Sequence, residues 1–280
     1  MTRRRPPRSS SADDLLATLG RLTAQAREGA ELQRARVDLA VALQRDMLPA
    51  TLPALPGLQT GARYMPARHG LDIGGDWYDG FRMPDGSLGF SIGDVQGHDV
   101  EAAAFMGQIR IGLRAVATAS TDPGEVLSRA NDLLVSVARE LFATCTFLRF
   151  DPSAWVLESA RAGHVPSVWA TADGGCGAVQ DEGGLPLGIQ PGEGYPVTRR
   201  RLTQPGSFVL LTDGLIEGPT VPIEVGLARV TRLVGAGTLA GAGADELAGE
   251  VMKAAEFTDH TDDAAVLVLR HGGPPADGTG

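Results

Sequence analysis

Four apolar, strand-like runs in this chain each abut an aspartate: Asp76 in GGDWYD, Asp94 in FSIGDVQGHD, Asp213 in FVLLTDGLIE and Asp262 just before AAVLVLR. Charges at the ends of buried strands restrict the fold. Either each aspartate turns out into a solvated turn, where Asp beside Gly is ordinary chemistry, or the strands converge and the carboxylates meet. Two unit charges about 4 Å apart repel by roughly 4 kcal/mol at an effective dielectric near 20. Converging carboxylates must therefore take up protons or bind cations. Carboxylate oxygens without nearby Cys or His suit Mg²⁺ or Mn²⁺ rather than Zn²⁺, because small hard cations prefer charged oxygen donors.

With 280 residues, 43% of them hydrophobic and 21% charged, the chain can bury a core in one domain plus an appendage. A formal net charge of -9 argues against nucleic acid as a partner, since phosphate backbones are bound by basic surfaces. Arg3, Arg4, Arg5 and Arg8 form a basic cluster in a Pro/Ser-rich start, residues 1–11, that reads as a disordered tail. No apolar run reaches the roughly 20 residues needed to span a bilayer, and SSSADD follows the arginines where a signal peptide would have its apolar core. A cytoplasmic protein with no membrane partner is expected. Cys145 and Cys176 sit in unrelated contexts and read as free thiols.

Residues 12–48 contain no proline, and Leu32, Ala35, Leu39, Ala42, Leu43 and Met47 recur at helical spacing. Gly20 and Gly29 predict a break into two helical segments. The prolines of LPATLPALPG end the helix and mark a domain boundary, giving a main domain over 49–271 and a disordered tail over 272–280. Within the domain, strands are predicted over 59–66, 72–83 and 87–95. Two helices follow, over 99–119 and from Asp122, with Pro123 at its first helical position. Strands resume over 143–151, 154–162 and 166–171, and again in YPVTRRRL and GSFVLLTDG. Helices over 223–234 and 244–256 precede the closing strand. Elements in blocks rather than strict alternation point to an α+β or layered sandwich and against a doubly wound parallel sheet.

The succession GGDWYD, IGDVQGHDVEAAAFM, AGHVP, GLPLGI, LLTDGLIE and TDDAAVLVLR resembles the bacterial SpoIIE/RsbU-like branch of the metal-dependent (type 2C, PPM) protein serine/threonine phosphatases. LQRDMLPATLPALPG is similar to the linker helix and proline-rich lead-in often found before that domain. The resemblance covers about residues 40–270. It implies a layered α-β-β-α sandwich of two antiparallel sheets flanked by helices, with two Mn²⁺ or Mg²⁺ ions at one end. It implies that Asp76, Asp94, Asp213 and Asp262 are metal ligands, with Asp94 bridging and the backbone carbonyl of Val95 completing one coordination sphere. Asp263 adjoins Asp262, but alternation points the two side chains opposite ways, and Asp262 is preferred. The implied reaction is hydrolysis of phosphoserine or phosphothreonine on a regulatory protein by a metal-activated water, the substrate being of the anti-sigma-factor-antagonist kind.

Other residues carry weaker signals. His98 stands near Asp94 and is either a general acid or a loop histidine that positions its neighbours. His164 in AGHVP reads as structural, and His69 and His260 fall in no pattern. Asp79 faces away from Asp76 on an extended strand, which makes it a candidate for orienting a water or a ligand and the weaker candidate for a direct metal ligand. Trp77 and Tyr78 read as core, and Arg199, Arg200 and Arg201 as a solvated strand face. Asp99 is a candidate helix N-cap. The competing readings are a non-catalytic or partner-switched phosphatase-like interaction module and a hydrolase of small phosphoesters. The helix over 32–48 is expected either to pair with its copy in a homodimer or to dock a partner.

Overall fold

A computed structural model describes residues 12–66, 74–97, 100–137, 141–258 and 262–274. His69, His98, Asp99 and His260 lie outside the described residues. The chain opens with α1 (Ala12–Met47), one continuous helix where two segments were expected. Gly20 and Gly29 stand in open space, and a glycine costs only about 1 kcal/mol relative to alanine inside a helix, too little to break one flanked by good helix formers. Leu15, Leu16, Leu19, Leu22 and Leu32 are exposed along it. At its end Met47 and Leu48 pack on the domain. No helix among the described residues is long and apolar enough to cross a membrane.

Two five-stranded antiparallel sheets follow. The first has the order β1-β10-β9-β6-β7, from β1 (Leu58–Met65), β10 (Ala264–His271), β9 (Gly206–Leu211), β6 (Val168–Thr171) and β7 (Cys176–Ala178). The second has the order β2-β3-β4-β5-β8, from β2 (Trp77–Arg82), β3 (Leu88–Val95), β4 (Ala143–Asp151), β5 (Val156–Ala162) and β8 (Thr198–Arg201). The helices α4 (Ile223–Leu239), α5 (Ala244–Met252) and α6 (Ala254–Thr258) cover the first sheet. The helices α2 (Val100–Val116) and α3 (Pro123–Val137) cover the second. This is the expected α-β-β-α sandwich.

Strand alternation sorts the core into three layers. Phe90, Ile92, Leu148, Phe150, Leu210, Leu267 and Leu269 meet between the sheets. Cys145 and Phe147, the alternate residues of β4, pack with Met106, Ile109, Leu113 and Leu127 of α2 and α3. Val266 and Val268 of β10 pack with Val230, Val234, Leu247 and Val251 of α4 and α5. Because β3 and β10 are covered on both faces, they are apolar almost throughout, whereas the edge strand β8 exposes alternate arginines. The half-buried Arg200 lies over the Trp169 ring at 5.3 Å. Both cysteines are free.

Strand β2 begins at Trp77 rather than residue 72, so Asp76 sits in irregular backbone just ahead of it. Three residues on, Asp79 turns toward α2. Its side chain is fully buried, accepts two 2.6 Å hydrogen bonds from Arg114 and lies 3.6 Å from Arg110. Trp77 is buried on the same face. A carboxylate so enclosed is costly to orphan and its arginines costly to leave behind. Asp79→Ala should therefore lose about 3–5 kcal/mol of unfolding free energy in chemical denaturation, and a loss under about 1 kcal/mol would mean the pair is solvated and weak.

Candidate metal centre

All the predicted ligands lie at one end of the sandwich. Asp76 leads into β2, Asp94 is the penultimate residue of β3, Asp213 follows β9, and Asp262 and Asp263 lead into β10. The ladders place these ends together: Trp77 opposes Gly93, Asp94 opposes Thr144, and Leu211 opposes Val266. Loops at the mouth of a sandwich are where charge can gather while the strands bury the apolar runs behind it.

Close backbone approach shapes the inner wall. A Cβ on Gly74 would fall 1.8 Å from Asp263 Oδ2, and one on Gly75 would fall 2.5 Å from the Val95 carbonyl oxygen. Only glycine fits either place. The Val95 amide in turn donates to the Gly75 carbonyl at 3.3 Å, locking the approach to Asp76 against the strand that carries Asp94.

Neutral donors orient the inner carboxylates. The Thr212 hydroxyl donates to Asp76 Oδ2 at 2.7 Å and accepts from the Ala265 amide at 2.8 Å. The Tyr64 hydroxyl (2.6 Å) and the Asp76 amide (2.9 Å) both donate to Asp263 Oδ2. Asp262 and Asp263 differ in burial, but their side chains share a hydrogen bond rather than pointing apart. Asp263 is 2% exposed and turned inward. Asp262 is exposed and lines an open cleft of about 440 Å³ with Asp213, Gly214, Glu217, Gly218 and Pro219.

These carboxylates hold one another away from ionisation. Burial, then Asp263, Asp94 and Asp213, raise Asp76 well above the carboxylate range. Burial, then Asp213, Asp263 and Asp262, push Asp94 up to about 8, although a hydrogen bond with Asp76 opposes the shift. Burial and the hydrogen bond with Asp262 push Asp263 up to about 7. Burial, Asp262 and Glu217 raise Asp213. Among the described residues no three His, Cys, Asp or Glu side chains form a ready-made metal cage. The donor set is nonetheless all oxygen, partly buried and mutually repelling, and it fits small divalent cations.

His164 is buried away from the open cleft, and Asp79 faces α2, so neither lines it. Tyr64, Thr212 and Glu217 went unnoticed in the sequence. Thr212 adjoins Asp213 in LLTDG, but nothing in Tyr64's surroundings pairs it with a residue 199 positions on.

The sequence model of the SpoIIE family, Stage II sporulation protein E, matches residues 84–272. Among curated proteins, phosphoserine phosphatase RsbU of Bacillus subtilis is 25% identical over 185 residues, 66% of this chain and 54% of RsbU. Protein IcfG of Synechocystis sp. is 30% identical over 205 residues, 62% of this chain and 31% of IcfG. The chain thus spans about half the length of the first and under a third of the second. The solved RsbU and RsbW domains of Rv1364c from Mycobacterium tuberculosis superpose with a TM-score of 0.73 at 30% identity, over 82% of this chain and 64% of that one. The PP2C phosphatase domain of SpoIIE from Bacillus subtilis, with a fragment of its regulatory domain, gives 0.65 at 21% identity, over 79% and 64%, a likeness of fold.

Folded Asp76, Asp94, Asp213 and Asp263 bind protons more tightly than their unfolded counterparts, so the stability they contribute to metal-free protein is present at low pH and lost as pH rises. Buried His164 and His271, lowered to about 4, act in the opposite sense up to their ordinary 6.5, so the carboxylates show above that, up to about 8 for Asp94. Melting temperature of EDTA-treated protein should fall between about pH 6.5 and 8 and recover on adding Mn²⁺; a flat profile over that interval would mean the carboxylates do not interact.

Proposed function

Since the chain belongs to the SpoIIE family, we propose that it is a metal-dependent protein serine/threonine phosphatase. The observation that carries this reading is the group of buried, mutually shifted carboxylates where both sheets end. Asp76, Asp94, Asp213, Asp262 and the Val95 carbonyl would hold two Mn²⁺ or Mg²⁺ ions. Such ions supply charge that acidifies water and offsets the negative charge building on a phosphoryl group in transfer.

The chain's own residues prepare the site. Thr212 fixes Asp76, and Tyr64 with the Asp76 amide fixes Asp263, so the inner carboxylates are oriented before any cation arrives. Asp213 and Asp262 face the cleft, the side from which a phosphorylated serine or threonine on a protein surface can approach. Uncatalysed hydrolysis of phosphate monoesters is among the slowest reactions known, so most of the acceleration must be electrostatic. The relative RsbU of Bacillus subtilis is a phosphoserine phosphatase, which supports this substrate class. The expected substrate is a small phosphorylated regulator of the anti-sigma-factor-antagonist kind, in the cytoplasm. We assign α1, with Leu15, Leu19 and Leu22 exposed at helical spacing, to pairing with a second copy. A second reading, a partner-switched or non-catalytic module, draws on the absence of a ready-made cage among the described residues.

Hydrolysis of a phosphoserine peptide should require Mn²⁺ or Mg²⁺, and Asp94→Asn should lose turnover by roughly a hundredfold or more. Folded wild-type protein that binds the metal without turnover would favour the module. The full chain should run as a dimer and a chain lacking residues 1–35 as a monomer of its own mass in solution; a truncated chain that still runs as a dimer would sink the assignment of α1.

A further inference from the structure

His164 occupies residues 163–167, the short crossover that carries the chain from β5 in the second sheet to β6 in the first. Its ring is 4% exposed and bonded at both nitrogens. Nε2 lies 3.0 Å from the Leu211 carbonyl oxygen, and Nδ1 lies 2.8 Å from Thr144 Oγ1. A carbonyl can only accept, so Nε2 carries the proton and the Thr144 hydroxyl donates to Nδ1. Burial lowers the ring's pKa to about 4, which keeps this neutral form at ordinary pH. The backbone beneath it is held as well: Arg161 donates to the His164 carbonyl at 2.8 Å while pairing with Asp181.

Both partners of the ring stand one step from the carboxylates. Thr144 is directly opposite Asp94 in the β3–β4 ladder. Leu211 precedes Thr212, which holds Asp76, and Asp213 comes next. The ring thus spans from the sheet carrying Asp94 to the end of β9, the strand that leads into Asp213. An apolar ring would fill the same space, but only a donor and an acceptor on opposite sides can fix both strands in register.

We propose that His164 is a positioning residue that sets the gap between Asp94 and the pair Asp76 and Asp213, and thereby the affinity of the site for divalent cations. This rests on the metal-dependent reading above. It gives the AGHVP segment a role that filling the core would not require.

The test is calorimetric titration of Mn²⁺ into wild type, His164→Phe, His164→Gln, Thr144→Val and Leu157→Ala. Leu157 lies in the inter-sheet core toward the opposite end of β5 and controls for stability alone. His164→Phe should weaken Mn²⁺ binding by about tenfold or more, the range for residues that orient metal ligands. Thr144→Val should weaken it less, and His164→Gln, with one donor and one acceptor, should recover part of the loss. Leu157→Ala should melt at lower temperature with wild-type affinity. Unchanged affinity in folded His164→Phe, or a loss in Leu157→Ala as large, would overturn the proposal. If His164→Phe does not fold, Thr144→Val decides, and wild-type affinity there overturns it. Wild-type protein that binds no Mn²⁺ overturns the metal-dependent reading itself, and the proposal with it.

Discussion

Mutual repulsion among Asp76, Asp94, Asp213, Asp262 and Asp263 is the constraint around which the domain is organised. Each raised carboxylate owes part of its shift to another of the group, so the protein spends folding energy to gather them. Three apolar layers offset that cost. Asp94, Asp213, Asp262 and Asp263 lie in or beside β3, β9 and β10, which are covered on both faces, whereas Asp76 leads into the edge strand β2 and is held by Thr212. A charge at the end of a rigid, doubly covered strand cannot relax away by moving its backbone. It must be answered where it stands, by a proton or a cation.

That coupling is why so much was legible beforehand. A doubly covered strand writes itself as a continuous apolar run, and a charge at its end interrupts the run conspicuously. Asp94 and Asp213 were visible for this reason, and alternation alone turned Asp79 away from Asp76. Less legible was whatever depended on register between distant segments. Tyr64 meets Asp263 because β1 pairs with β10, and His164 meets Leu211 because the crossover from β5 passes the end of β9. Neither pairing leaves a local pattern. Short or glycine-rich pieces also misled: β7 is three residues long and includes Gly177, and Gly74 and Gly75 hold residues 74–76 out of the expected strand. In α1 the penalty of Gly20 and Gly29 is too weak to interrupt the helix, so a glycine there marks no boundary.

The helix α2 joins two of these features. It is the next described element after β3, which carries Asp94, and its Arg110 and Arg114 grip Asp79 on β2. One helix is therefore tied to both strands of the second sheet that carry proposed ligands. Gly107 on the same helix lies against the end of α1, where an added Cβ would stand 3.7 Å from Met47 Sδ.

Asp76 and Asp79 make the physics of the site explicit, since they lie three residues apart and have opposite fates. Asp79 meets two arginines, so its charge is cancelled within the protein and it has nothing left to offer a cation. Asp76 meets a threonine hydroxyl and other carboxylates. A hydroxyl or an amide fixes the direction of a carboxylate oxygen without removing its charge, and neutral donors also hold Asp263. A guanidinium at either place would satisfy the carboxylate and close the site to metal. The same reasoning applies to His164: kept neutral by burial, it fixes distance without adding positive charge. A site meant to bind cations must be rigid and still electrically unsatisfied, and neutral hydrogen-bond donors meet both requirements.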